Sequence, residues 1–232
     1  MKYTLLAILL FVFGSQATAQ NNIAQFAVWQ PKEGAKFQFE EGYKRHLDWH
    51  KQHGDKWDWY GWYIISGPRY GFFVDATIDR AWTDFDHAVD PSADMADNNL
   101  HVFPFGNLRA LFKVEIVRPA SARELQAFKA RLVRMITLDT DDPSKALRVV
   151  QRFKEKCLES ACAEGLITTS IKDGGDSNQI ILFIGHASWK DYEKTANIAE
   201  ELMKIQENQK TTSIRSVTLE TLSYRPDMSL FN

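Results

Sequence analysis

The sequence predicts an α+β protein built from two tandem β-α-β-β-α-β units that share one core. Three observations carry this. The chain repeats itself: "RAWTDFDHAV" (80–89) resembles "ASWKDYEKTA" (187–196), placing Trp82 on Trp189, Asp84 on Asp191 and Phe85 on Tyr192 at an offset of 107 residues. The same offset carries Arg118-Pro119 onto Arg225-Pro226, "FFVDAT" (72–77) onto "QIILFI" (179–184) and "FAVWQP" (26–31) onto "VRMITL" (133–138), without a gap. Strand-like and helix-like hydrophobic periods also follow one another in the same order in both halves.

Taken in order, the chain opens "MKYTLLAILLFVFGSQATAQ". Lys2, the apolar run Leu5 to Phe13 and Ala17-Thr18-Ala19 have the three-part pattern of a secretory signal peptide over 1–19, too short to span a bilayer. The expectation is cleavage near Ala19 and export, periplasmic or extracellular, with no lipid-bearing cysteine and no membrane anchor. The first unit, 20–119, begins with the strand "QFAVWQ", followed by an amphipathic helix from Lys36 to Gln52. "WDWYGWYIIS" and "YGFFVDATI" form a hairpin around Gly67-Pro68. Trp82 to about Val89 starts a second helix that Pro91 interrupts, and "LRALFKVEIV" closes the unit. A linker helix occupies 120–132, where Ser121 and Glu124 have capping-box spacing and Leu125, Phe128 and Leu132 form an apolar stripe. The second unit, 133–232, repeats the order: "VRMITLD", a helix from Pro143 to about Ala161, "LITTSIKD" and "NQIILFIGH" around Gly174-Gly175, a helix from Trp189 to Gln209, and "SIRSVTLETLSY".

Composition narrows the function classes. The net charge of −2, or −3 once Lys2 is removed, gives no concentrated basic face for nucleic acid. With 44% hydrophobic and 12% aromatic residues the chain can bury a full core. The two cysteines, in "CLESAC", are five residues apart and diverge on an intact helix. A Cys157–Cys162 disulfide therefore requires the helix to end or loosen between them, and Gly165 is the nearest helix stop.

Two ferredoxin-like units in tandem resemble the dimeric α/β-barrel superfamily, and in particular its antibiotic-biosynthesis-monooxygenase-like branch. That branch usually builds a barrel from two chains, and a duplicated chain makes the pair internally. The resemblance rests on element order and duplication, with no catalytic motif of one member matched. It implies several functions: cofactor-independent oxygenases, haem-degrading enzymes, chlorite and peroxide haem enzymes, and proteins of no known activity. Fold alone selects none of them.

The candidate site lies in "HLDWHKQHGDKWDWYGWY" (46–63). On a helical wheel His46, His50 and His53 fall within roughly 40° of Phe39, on the apolar arc with Tyr43 and Leu47. The offset maps them onto Phe153, Cys157 and Ser160, so the repeated helix does not require histidine to fold. His46 and His50, four residues apart, can share one metal ion, whereas His46 and His53 are about 10 Å apart along the axis. A zinc site would need a carboxylate from elsewhere, with Asp55 and Asp75 as examples. Alternatively, Trp57, Trp59 and Tyr63, on one strand face, line a pocket with Tyr43 and the three histidines. The expected ligand is a small aromatic or polycyclic molecule, with haem as the most specific version. His50 is the candidate to orient or deprotonate a phenolic substrate in an oxygenase-like reaction. The rival reading is an interaction module with a filled core. The acidic run Asp84, Asp86, Asp90, Asp94 and Asp97 lacks calcium-loop spacing and reads as a solvated helix and loop. "HVFPFGN" (101–107) reads as an apolar loop at the pocket or before the last strand. The assembly is expected to be a monomer or homodimer.

Overall fold

The computed structural model describes residues 21–232, so the 1–19 leader lies outside the described residues. Eight strands close into one antiparallel barrel. They are β1 (Ile23–Pro31), β2 (Tyr60–Ser66), β3 (Phe73–Arg80), β4 (Gly106–Ile116), β5 (Leu132–Thr140), β6 (Gly165–Asp173), β7 (Gln179–His186) and β8 (Ile214–Tyr224). Their order around the barrel is β1-β3-β2-β8-β5-β7-β6-β4, with β4 returning to β1. Each unit contributes four neighbouring strands in the same relative order. The β2–β8 and β4–β6 pairs join the units.

The helices cover the outside of the sheet and keep the sequence repeat closely. The first-unit helices α1 (Lys36–Gln52) and α2 (Pro91–His101) and the second-unit helices α4 (Pro143–Ser160) and α6 (Ile198–Asn208) start 107 residues apart, pair by pair. Between the units lies α3 (Glu124–Lys129), and α5 (Trp189–Glu193) precedes α6.

Period-2 alternation sorts the side chains. On β1, Phe26 and Val28 point into the barrel, while Ala27 and Trp29 point out toward the helices. On β2, Tyr60, Trp62 and Ile64 point in and Tyr63 points out. Inside, Phe26 stacks on Phe183 at 5.1 Å and on Phe112 at 5.5 Å between ring centres. Phe128 of α3 is fully buried against Phe26, Tyr60, Trp62 and Phe183, and its carbonyl accepts the Trp62 indole N–H at 3.1 Å. The linker helix thus fills part of the barrel.

Several elements depart from the sequence reading. Pro91 begins a helix instead of interrupting one. Asp90 caps it by accepting from the Ala93 N–H at 3.1 Å, and Pro91 takes the first turn, where its missing N–H costs nothing. Residues Trp82–His87 form only a 3-10 turn. Trp189 to Gln209 divides into α5 and α6. The Ser121–Glu124 capping box is absent: the Ser121 hydroxyl donates to the Val117 carbonyl and accepts from Thr168 N–H, and Glu124 pairs with Arg118. Only Phe128 of the linker stripe packs inward from the helix, since Leu125 is exposed and Leu132 opens β5. Cys157 and Cys162 form a disulfide across a Cα separation of 5.0 Å. The helix ends at Ser160, and the left-handed residue that turns the chain is Ala161, not Gly165.

Candidate functional site

The site is made where α1 and α2 cross the outer face of the first-unit sheet. Their approach depends on Gly42, where a Cβ would lie 1.9 Å from the His101 carbonyl oxygen. Close contact brings the His46 and His50 face of α1 against the Asp94, Asp97 and Asn98 face of α2. On each helix these residues are three or four apart, one turn of spacing.

His46 and His50 are buried. His46 Nδ1 lies 2.8 Å from Asp97 Oδ2, and His50 Nδ1 lies 2.8 Å from Asp55 Oδ2, the latter contact off the line of the ring N–H. The other nitrogens converge: His46 Nε2 and His50 Nε2 are 3.1 Å apart. Asp94 Oδ1 stands 3.2 Å from the first and 3.5 Å from the second. The Asn98 side-chain amide is 3.0 Å from His46 Nε2. Burial disfavours a charged His46 ring, but hydrogen bonds to Asp94 and Asp97 outweigh it and hold its pKa above the usual value.

The flanking groups fix this cluster. α1 ends in a turn through Gly54, whose φ is +69°, and Asp55 N–H returns to the His50 carbonyl at 3.0 Å. The Asp55 carboxylate accepts from the Trp57 backbone N–H and the Trp59 indole N–H, each at 2.9 Å. Burial pushes Asp55 up, but His50, Trp59 and Trp57 outweigh that and hold its pKa below the usual carboxylate value. Deeper in, Asp75 accepts the Trp29 indole N–H at 2.7 Å, and Tyr43 bonds to it. Burial raises Asp75 to about 7.

A cavity of about 140 Å³ opens beside these groups, with His46, His50, Asp94 and Asn98 on one wall. Trp29, Tyr43, Leu47, Trp59, Asp75 and Phe103 line the rest, and Met95, Leu108 and Leu111 lie at its edge. On the other side of His50 and Asp94 is a recess of about 290 Å³, walled by Trp57, Trp59, Phe85 and Lys113.

Of the residues singled out by sequence, His46, His50, Tyr43 and Trp59 meet at the cavity. Trp57 lines the outer recess only, packed edge-on against Phe85. His53 does not join them: it is exposed, stacks on Trp49 at 4.1 Å and bonds to the Trp49 carbonyl, because α1 has already ended. Tyr63 is buried against Phe73, under Lys36 and Arg225, away from the cavity. The carboxylate at the converging nitrogens is Asp94, whereas Asp55 backs His50 and Asp75 lies deeper. Asp94 and Asp97 therefore belong to the site and not to a solvated run. The signal that could have found them is Asp90-Pro91, a cap and first-turn proline that puts Asp94, Asp97 and His101 on one helical face. Phe103 in "HVFPFGN" does reach the cavity.

Haem does not fit this cavity. Ligand pockets for drug-sized molecules run from about 300 Å³ upward, and this one is about 140 Å³. Both histidines also turn their Nδ1 atoms to carboxylates and their Nε2 atoms to each other, which leaves neither ring aimed at a flat slot.

No family profile and no curated protein sequence matches the chain. Solved structures do. A proposed monooxygenase from Lactobacillus acidophilus NCFM superposes with a TM-score of 0.60 at 12% identity, over 90% of this chain and 95% of that one. A proposed monooxygenase from Fusobacterium nucleatum gives 0.57 at 13% identity, over 87% and 91%. Chlorite dismutase from Candidatus Nitrospira defluvii, in complex with imidazole, gives 0.54 at 11% identity, over 89% and 92%. At these identities the likeness is one of fold. The chain has the fold of the dimeric α/β-barrel superfamily, with both ferredoxin-like units supplied by one polypeptide.

Proposed function

We propose that the first unit binds a compact, single-ring aromatic molecule bearing an oxygen substituent, with its ring in the cavity and its oxygen toward His46, His50 and Asp94. The observation that carries this is the contrast between the units. At the 107-residue offset, Trp29, Tyr43, His46, His50 and Asp75 answer to Ile136, Val150, Phe153, Cys157 and Leu182, all buried in a filled apolar core. The fold needs no polar groups at these positions, and burying them is costly without a partner. A cavity of about 150 Å³ accommodates one benzene ring, which sets the ligand's size.

Where the bound molecule is turned over, the reaction proposed is oxygenase-like, a reading supported by the monooxygenase names among the structural neighbours. Apolar walls would shelter a reactive phenolate, and the histidine–carboxylate cluster would bind its oxygen. Export of the mature protein is part of the proposal, supported by the leader pattern and the disulfide.

A thermal-shift and calorimetric screen of phenols, catechols and hydroxybenzoates against residues 20–232 tests the reading. The expected result is a saturable stabilisation that Leu111→Trp, at the cavity edge, abolishes while the circular dichroism spectrum is kept. Haem should not compete with the single-ring compounds for this cavity. If no single-ring compound stabilises the protein, or if Leu111→Trp leaves binding intact, the cavity is not a ligand site.

A further inference from the structure

The two histidines pose a bookkeeping problem. Each imidazole has one N–H in its neutral form and one lone pair. If both Nδ1 atoms carry the proton toward Asp97 and Asp55, both Nε2 lone pairs face each other at 3.1 Å, with an Asp94 carboxylate oxygen 3.2 Å and 3.5 Å away. Three electron-pair donors then point at one spot; the Asn98 amide N–H groups reach His46 Nε2 at 3.0 Å and Asp94 Oδ1 at 3.3 Å but leave His50 Nε2 facing two lone pairs. If His50 instead protonates Nε2, its bare Nδ1 lone pair faces the Asp55 carboxylate at 2.8 Å. Neither neutral arrangement is satisfied. A positive charge at that spot resolves it, as a second proton on His46 between Asp94 and Asp97 or as a metal ion.

We infer that His46 Nε2, His50 Nε2 and Asp94 Oδ1 hold a divalent first-row transition-metal ion. Donors bonded to one tetrahedral ion at 2.0–2.1 Å are about 3.3 Å apart, and the three separations here bracket that value. Two imidazoles and one carboxylate suit Zn²⁺ or Fe²⁺ and disfavour Mg²⁺ and Ca²⁺, which prefer all-oxygen shells. A carboxylate hydrogen-bonded to the far nitrogen of a ligating histidine is the usual second layer of such sites; His46 has one in Asp97, and Asp55 stands 2.8 Å from His50 Nδ1, off the line of the ring N–H. Three protein ligands leave a position open toward the cavity, the pattern of catalytic rather than structural ions. The second unit has Phe153, Cys157 and Glu201 at the equivalent positions, with Cys157 in the disulfide, and so has no counterpart site.

The ion does not depend on which organic molecule fills the cavity, so it is tested with metal alone. ZnCl₂, and FeSO₄ under anaerobic conditions, are titrated calorimetrically into EDTA-stripped mature protein. One equivalent should bind. His50→Gln and Asp94→Asn should each weaken binding at least 100-fold, Asp97→Asn roughly 10- to 100-fold, and Glu201→Gln should change nothing. Tighter Zn²⁺ or tighter Fe²⁺ binding identifies the preferred ion. Should a variant fail to fold, long-range ¹H–¹⁵N spectra of the wild type read the site directly. Zinc should shift the Nε2 resonances of two of the six histidines. The inference is overturned if no stoichiometric binding occurs, if His50→Gln binds as well as wild type, or if the pair is an imidazolium at pH 7.5 that metal does not displace.

Discussion

Removing the Cys157–Cys162 disulfide should destabilise the oxidised protein by an amount fixed mainly by a short loop. The cysteines are five residues apart in sequence. Treating the bond as a constraint on the unfolded chain, closure of so short a loop is worth about 2 kcal/mol. For a protein of this size, 1 kcal/mol moves the melting temperature by roughly 2–4 °C, so the expected loss is about 4–8 °C. Cys157→Ala/Cys162→Ala is the suitable variant, since serine would bury hydroxyls among the apolar side chains around this pair. Calorimetry of the wild type with and without reductant, beside the double variant, gives the comparison. Reduced wild type and double variant should melt together below the oxidised protein. Single-ring ligand and metal binding in the first unit should be unchanged. Equal melting temperatures for oxidised and reduced protein would refute the reasoning.

Other consequences are equally direct. Phe128→Ala removes a fully buried ring from the barrel interior and should cost about 3–5 kcal/mol in urea unfolding; a loss below 1 kcal/mol would mean that the linker helix is not part of the core. Gly42→Ala forces α1 and α2 apart at the His101 carbonyl, so metal affinity should fall together with stability, and a variant with wild-type affinity would contradict the close approach. His186 is fully buried, and burial with the nearby Arg134 cation holds its pKa down to about 4. The folded state keeps it neutral while the unfolded chain protonates near 6.5, so its contribution is complete above pH 6.5 and is lost as pH falls toward 4. Between pH 7 and 4.5 that loss is about 2–3 kcal/mol, and His186→Gln should show a shallower acid dependence in urea titrations by that amount.

The duplication was legible because Trp, Pro and Arg-Pro landmarks share one spacing, and the helix starts keep it to the residue. Strand starts drift: β5 begins 109 residues after β1, a slip that sheet ends tolerate more readily than packed helices. The inward face of α1 was legible from its period at Tyr43, His46, Leu47 and His50, but not at His53, because a wheel does not show where a helix stops. The partners of the histidines were hidden for a different reason. Asp94 lies 44 residues beyond His50, on a helix that Pro91, read as a breaker, conceals. Proline reads either way until its preceding residue is recognised as a cap. Cavity size was not legible at all, since it depends on how Trp29, Tyr43 and Phe103 pack.

One correspondence joins these findings. At the 107-residue offset His50 answers to Cys157 and Asp55 to Cys162, so the turn after the first helix is closed in one unit by an imidazole–carboxylate contact at 2.8 Å and in the other by a covalent bond. The second unit gains a constraint worth about 2 kcal/mol at positions otherwise surrounded by apolar side chains. The first unit gives up that constraint and buries His50 with its Nδ1 outside hydrogen-bond geometry, an unmet bond that costs about 1–3 kcal/mol. With the backbone element retained on both sides, the difference lies in the side chains, and the polar version is the less stable way to close the same turn. A folding role alone does not account for it. The proposed cation between His46, His50 and Asp94 would, because it supplies the missing positive charge and recovers part of that cost in the bound state.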